Sequence, residues 1–522
     1  MKTVRGDTQY YTMTAPHNPF AHAFRFAWLV LTVSFLTAGL GAAPRNVILF
    51  IADDMGQDAG CYGNQEVKTP ALDQLAREGT LFRNAFCTTA SCSASRSVLM
   101  SGLQNHSIGH YGHAHSVHHF STYQSVRSLP VILGENNYRT GRIGKYHLAP
   151  ENVYKFETAI PGNAWNPVGM ANASKSFIAD KSKPFFLYFC TLTPHRSGGV
   201  LEGHPLKPNP FGNHLQYPEI KDVTYSEMGL TVPPHLPDLP ETRAELAQYY
   251  QAISRTDAGL ARLVEILKET GQYENTVIIF GADNGMAWPG AKTTLYEAGM
   301  KLPLVVRSPD QKNRGVVSDA MVSWVDITPT ILDIAGVKEV LAPPFVAGDP
   351  ESGAGGAAAA NANAKGKKKG GGTGLVKYEF HGRSFLPTLE GAKLPDWNLV
   401  FASHQFHEIT MYYPMRVIRT DRHKLILNLA YQLPYPFASD LWASATWQAA
   451  LKSEQPFYGK RRISDYQFRP RYELYDLQND PHEVSNLADD PNHRAIFTDL
   501  AARLKAYQEK TRDPWLSKYI YE

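Results

Sequence analysis

The chain has 522 residues, of which 43% are apolar, 19% charged and 11% aromatic, with a formal net charge of +3. That length admits one to three domains with a sizeable core, and the composition excludes a disordered, collagen-like or coiled-coil chain. The positive excess sits in residues 1–43 (Lys2, Arg5 and Arg25 against Asp7) and in 349–374 (Lys365, Lys367, Lys368 and Lys369 against Asp349 and Glu351), so the body is near neutral and offers no basic surface for nucleic acid. Four cysteines, Cys61, Cys87, Cys92 and Cys190, without a Cys-x-x-Cys pair exclude a disulfide framework and a zinc ribbon.

In chain order, Arg25 precedes a short apolar run, Phe26–Ala38, and Gly41-Ala42-Ala43 follow before Pro44. This reads as a secretory leader over 1–43, cleaved near Ala43, with Met13 an alternative start. Thirteen residues fall short of the roughly 20 that span a bilayer, and no later run is apolar enough, so the expectation is an exported chain without a stable membrane span. Asn46–Ala52 is a continuous apolar run, as expected of a strand covered on both faces. Thr69-Pro70 opens a helix that Gly79 closes. A long helix is predicted over about 241–270, with Leu246, Tyr250, Ile253, Asp257, Leu260, Val264 and Leu267 on one stripe; Asp257 reads there as a buried, hydrogen-bonded structural carboxylate. Strands follow at Thr276–Ala282 and Leu304–Val306, then a helix from Thr328-Pro329 to Gly336. The alternation predicts an α/β fold, a large mostly parallel sheet with helices on both faces.

Residues 349–374 are low in complexity and read as a flexible surface insertion between a catalytic region over 44–348 and a smaller domain over 375–522. In that last region Met415–Asn428 reads as a hairpin turning at Thr420-Asp421, Tyr472–Asp476 as a strand and about 491–508 as a helix, an α+β pattern with an antiparallel sheet.

Asp53-Asp54 and Asp283-Asn284 each follow a buried strand. Ligands gather beyond the carboxyl ends of parallel strands, and two such ends supply hard oxygens for Ca²⁺ or Mg²⁺ rather than zinc. Adjacent carboxylates repel unless neutralised. Between them lies Cys92-Ser-Ala-Ser-Arg96, which runs into a helix over 94–101 closed by Gly102. Cys92 then lies at a helix N-terminus, where amides and the dipole attract anions, with Arg96 one turn in.

Cys92-Ser-Ala-Ser-Arg96 resembles the sulfatase signature. Further elements are matched by Tyr138–His147, by Asp283-Asn284-Gly285, and by Glu473–Asp476 with Asp480-Pro481-x-Glu483 and Asn486-Leu-Ala488. Within the family, Leu81–Phe86, Val117–Phe120, Val126–Pro130, Pro194–Arg196, Ile409–Met411, Tyr413–Arg416 and Asp513–Trp515 resemble the branch that desulfates N-sulfated glucosamine. The resemblance implies an alkaline-phosphatase-like fold and one Ca²⁺ bound by Asp53, Asp54, Asp283, Asn284 and the modified Cys92. It implies that Cys92 is oxidised to formylglycine by a maturation enzyme, and that its hydrate attacks sulfur. Arg96 would hold the developing charge, Lys145 and His195 would contact sulfate and leaving group with Lys292 beside them, and His147 would take the proton that expels sulfate. His119, His407, Glu408 and Arg416 are candidate sugar contacts, and the run His106, His110, His113, His115, His118, His119 reads as a pocket wall.

Two departures stand out: Ala94 replaces the more frequent Pro, and Lys292 stands where the N-sulfate branch carries arginine and many O-sulfatases carry lysine. The expected partner is a sulfated glycan of the heparan type, and a homodimer is compatible with the sequence. The alternatives are an O-sulfatase on another polysaccharide, a phosphonate or phosphate monoester hydrolase, and an inactive secreted glycan-binding relative.

Overall fold

The computed structural model describes residues 44–196, 199–343 and 374–521, together with Thr3 and residues 6–9. The apolar leader segment and nearly all of the low-complexity insertion lie outside the described residues. Arg45–Glu522 form one compact unit.

Among the described residues nine strands make the main sheet: β1 (Asn46–Ala52), β2 (Thr80–Phe86), β3 (Arg139–Gly144), β4 (Thr158–Ile160), β5 (Phe185–Cys190), β6 (Thr276–Ala282), β7 (Lys301–Leu302), β8 (Leu304–Arg307) and β9 (Val316–Ser323). Their order is β4-β3-β5-β1-β6-β8-β2-β7, with β9 also on β2. The β4-β3-β5-β1-β6 half is all parallel. The other half is mixed, since β8 runs antiparallel to both β6 and β2 while β9 runs parallel to β2. Every residue of β1, β5 and β6 is buried, and Phe50 stacks on Phe189 and Phe280 at ring separations of 4.8 and 5.1 Å. Two-sided burial is what makes these strands continuous apolar runs.

Register fixes the site. Ile51 pairs with Cys190, Ala52 with Ala282, and Gly144 with Cys190, so β3, β5, β1 and β6 stop side by side and their next residues open on one edge. The turn after β3 needs glycine: Gly144 has φ 81°, and a Cβ there would lie 2.0 Å from the Cys190 carbonyl oxygen.

Helix α1 (Pro70–Glu78) ends at Gly79 and α3 (Pro240–Glu269) covers the sheet, both within a residue or two of expectation. The Thr69 side chain does not cap α1; it donates to Asp73 instead. The cap comes from Asp257 of α3, whose two carboxylate oxygens accept the Ala71 and Leu72 amides at 3.0 and 2.8 Å. That explains a carboxylate in an apolar stripe: it satisfies two orphan donors of a neighbouring helix.

A second sheet, antiparallel in the order β10-β11-β12-β13, comprises Leu399–His404, Met415–Thr420, His423–Asn428 and Tyr472–Asp476. Helix α4 (Arg494–Lys510) packs on it through Leu500 and Leu504 against Ile418, Leu425, Leu427 and Leu474.

Candidate active site

Helix α2 (Cys92–Ser101) begins at Cys92 and closes at Gly102, whose amide donates to the Val98 carbonyl. Every residue of α2 is buried, and Ser95 Oγ donates to the Asp283 carbonyl at 2.6 Å, fastening the helix start to the end of β6. Arg96 is thereby aimed at the strand ends. Its Nε donates to Asp283 Oδ2 at 2.9 Å, Nη2 to Asp53 Oδ1 at 3.3 Å and Nη1 to the Lys145 carbonyl at 3.1 Å.

Around this anchor the carboxylates and cations interlock. Lys145 Nζ meets Asp53 Oδ2 at 2.6 Å. Asp54 receives Cys92 Sγ at 3.6 Å and Asn284 Nδ2 at 2.7 Å on Oδ1, with His195 Nδ1 at 2.7 Å and Lys292 Nζ at 2.9 Å on Oδ2. Lys292 also meets Asp440 Oδ2 at 2.8 Å. Asp54, His147 and Thr293 are non-glycine residues with φ of 59°, 54° and 68°; such strain collects where function over-determines the backbone.

The electrostatics follow from this packing. Burial alone would raise both carboxyls of Asp53 and Asp54, but Lys145 for the first and Lys292 for the second, with His195, hold them well below the carboxylate range. Asp283, buried beside the charge of Asp53, is pushed up to about 7 despite Arg96. Burial lifts the Cys92 thiol well above its usual range against the pull of Lys145 and Lys292, so the unmodified thiol is no nucleophile at neutral pH. His147, buried and close to Lys145, is held well below the imidazole range and is neutral.

Asp53, Asp54, Cys92 and Asp283 bring four donor atoms within 4.8 Å of one another, all fully buried. Asn284 Oδ1 beside them is buried without a hydrogen-bond partner. A dry cluster of hard oxygens with an orphaned amide oxygen fits a divalent cation of the Ca²⁺ class.

Above the cluster opens a cavity of about 520 Å³, whose lining includes Cys92, Lys145, His147, His195, Lys292 and Asp440. One wall is histidine: His113 Nε2 lies 2.9 Å from His407 Nε2, and His407 Nδ1 2.9 Å from Ser91 Oγ. His115 Nδ1 lies 2.6 Å from His147 Nε2, leaving His147 Nδ1 unpartnered.

A family profile described as Sulfatase matches residues 45–337, and human N-sulphoglucosamine sulphohydrolase is 36% identical over 491 residues, covering 91% of this chain and 92% of its own. The chain belongs to the sulfatase family. An ulvan-active sulfatase of Formosa agariphila is 28% identical, covering 90% of this chain and 80% of its own. A structure solved with its substrate D-glucosamine-2-N,6-O-disulfate superposes with a TM-score of 0.61 at 20% identity, over 90% of this chain and 99% of that one, which bears on the fold.

In this sulfatase Asp53, Asp54, Cys92, Arg96, Lys145, His147, His195, Asp283, Asn284 and Lys292 converge on one spot, and His407 and Glu408 line the cavity above them. Two expected sugar contacts do not reach it. The Arg416 guanidinium is buried, with Nε 2.5 Å from Asp513 Oδ2 and Nη2 2.8 Å from Oδ1, and ties the sheet to the chain end. His119 is exposed and does not line the cavity, and His113, His115 and His118 make the wall instead. Asp440 went unnoticed in sequence: it is a lone carboxylate in the largely apolar stretch Phe437–Ala443 with no local signal, and only the tertiary fold carries it to Lys292.

Glu473, Asp480 and Glu483, matched to the family in sequence, hold the scaffold together. Glu483 pairs with Lys424 at 2.8 Å, Glu473 accepts Tyr296 Oη at 2.8 Å, and Asp480 Oδ2 accepts the amides of Val484 and Ser485.

Proposed function

We propose that this sulfatase removes the N-linked sulfate of glucosamine in heparan-type glycans, and that it acts after export. The observation that carries the reading is the convergence of Arg96, Lys145, His195 and Lys292 on a buried acidic cluster at the floor of one cavity. The choice of sugar rests on likeness to the human N-sulphoglucosamine sulphohydrolase across nearly the whole chain.

Asp53, Asp54, Asp283, Asn284 and the side chain at position 92 would hold the cation; with formylglycine at 92, the pair supplies an activated oxygen nucleophile and stabilises charge on sulfate. The rest is the work of the chain's own side chains. Arg96 fixes Asp53, Asp283 and the Lys145 backbone at once, so the positive groups are preorganised before substrate enters. Lys145 and Lys292 face the cavity as ammonium donors for sulfate oxygens. His195, oriented by Asp54, is placed to give a proton to the leaving nitrogen, and neutral His147, with Nδ1 free, is placed to accept one from the nucleophile side.

The test is direct. Protein from its own host, incubated with D-glucosamine N-sulfate and with 2-O-, 3-O- and 6-O-sulfated sugars, should release sulfate from the first. Intact-mass analysis should find residue 92 oxidised. Cleavage of O-sulfates alone, the outcome toward which Lys292 leans, overturns the N-sulfate reading, and higher turnover on phosphomonoesters overturns the sulfatase assignment of substrate. An unmodified Cys92 with glycan binding but no turnover would mark an inactive relative.

A further inference from the structure

Asp440 is a carboxylate where an enzyme for anions would ordinarily exclude one. It lines the cavity, its side chain is 15% exposed, and its Oδ2 lies 2.8 Å from Lys292 Nζ. Its other oxygen accepts the Leu441 amide at 2.9 Å. One of its oxygens lies within 4.8 Å of both a His195 ring nitrogen and an Asp54 oxygen, so it stands on the same side of the cluster as His195. Lys292 is held between Asp54 and Asp440, and this bridge offsets the second negative charge that would otherwise repel sulfate.

The two candidate ester types differ at the bridging atom. A sulfamate joins sugar to sulfur through N–H, a donor; a sulfate ester joins them through an oxygen that only accepts. A carboxylate beside that atom welcomes the first and repels the second. As the N–S bond breaks the nitrogen becomes an amine that gathers positive charge, and a neighbouring carboxylate then forms a charge-assisted hydrogen bond. An alkoxide leaving group gains nothing from it. We infer that Asp440 determines specificity for nitrogen-linked sulfate by accepting the sulfamate N–H and stabilising the departing amine. This rests on the N-sulfate reading above and supplies it with a residue, in the very chain where Lys292 leaves the N-versus-O choice open.

The experiment compares wild type with Asp440→Asn, both checked for oxidation at residue 92, on D-glucosamine N-sulfate and on N-acetylglucosamine 6-sulfate. An acceptor of this kind is worth roughly 10- to 100-fold, so Asp440→Asn should lose that much kcat/KM on the N-sulfate, with kcat falling, and change the residual turnover of the 6-sulfate by less than about 3-fold. A second measurement avoids turnover: in a Cys92→Ala background, calorimetry should show Asp440→Asn weakening D-glucosamine N-sulfate while leaving D-glucosamine 6-sulfate unchanged. Equal losses on both sugars would mean that Asp440 serves only to hold Lys292, and would overturn the inference while the N-sulfate reading stands. Wild type that ignores the N-sulfate overturns the reading and the inference together.

Discussion

Two of the buried charge clusters among the described residues are built differently. In one, Lys424 Nζ lies 2.8 Å from both Glu297 and Glu483, Arg419 Nη2 lies 3.0 Å from Glu297, and the Glu297 amide donates to Glu483 at 2.6 Å. This cluster pins the β11–β12 hairpin to the segment after β6, and each charge faces an opposite one. In the other, at the strand ends, four ligand atoms crowd together, an amide oxygen has no partner, and two lysines lean on the carboxylates from an open cavity. Burial and charge are common to both. What separates them is the surroundings: in the first, two carboxylates meet two cations of the protein away from the cavity, whereas the second gathers donor atoms that fit a cation on the floor of that cavity.

That contrast can be broken from either side. Lys424→Met leaves Glu297 and Glu483 buried without their shared ammonium, and removing one partner of such a set costs about 3–5 kcal/mol; chemical denaturation should show that loss, while protein that remains folded keeps its kcat. Asp54→Asn should do the reverse. It removes the carboxylate that gathers Cys92, Asn284, His195 and Lys292, and turnover should fall by on the order of 100- to 1,000-fold with a melting temperature near that of cation-free wild type. If Lys424→Met abolished kcat in folded protein, or Asp54→Asn unfolded the chain, the division between scaffold and site would fail. Cation binding sharpens the same line. Stripping with chelator should lower the melting temperature and Ca²⁺ should restore it, adding about 2.7 kcal/mol of stability at a hundredfold excess over Kd, and Asp54→Asn should lose that response while Lys424→Met keeps it.

How much of this was readable from sequence depends on how far each partner lies along the chain. Asp53-Asp54 and Asp283-Asn284 were legible because a strand covered on both faces is a continuous apolar run, and the residue after it must open on the sheet edge. The start of α2 and the β11–β12 hairpin were equally local. Arg416 was misread because its partner, Asp513, comes 97 residues later; a lone arginine near a pocket-forming stretch carries no sign that it is already paired. Asp440 was missed for the same reason, since its meaning lies wholly in Lys292, 148 residues away. The mixed half of the sheet was invisible too, as short β7 and β8 lack any signature of direction.

Acid separates two structural carboxylates by the sign of its effect. Asp513 is buried, but the Arg416 charge and its hydrogen bonds hold it well below the carboxylate range. Its contribution is therefore present above pH 4, where the unfolded carboxyl also ionises, and is lost as pH falls below that. Asp513→Asn should flatten the acid limb of the stability profile, and Arg416→Met should leave kcat/KM in place, as befits a side chain outside the cavity.

Asp257 should show the opposite slope and the smallest effect. Burial pushes it up to about 7 even though the Leu72 and Ala71 amides favour its ionised form. Between about pH 4 and 7 the folded chain then binds a proton that the unfolded chain has released, so this group makes the protein more stable as pH falls through that window and contributes a constant penalty above it. Asp257→Asn keeps one oxygen for the α1 amides and has no charge to bury. It should cost about 1 kcal/mol near pH 5, the usual value of a helix cap, and less near pH 8, where the wild-type carboxylate bears its desolvation. Denaturation midpoints at the two pH values decide it: a cost that grows with pH would mean the ionised cap outweighs burial, and that the α1–α3 contact is held by charge rather than in spite of it.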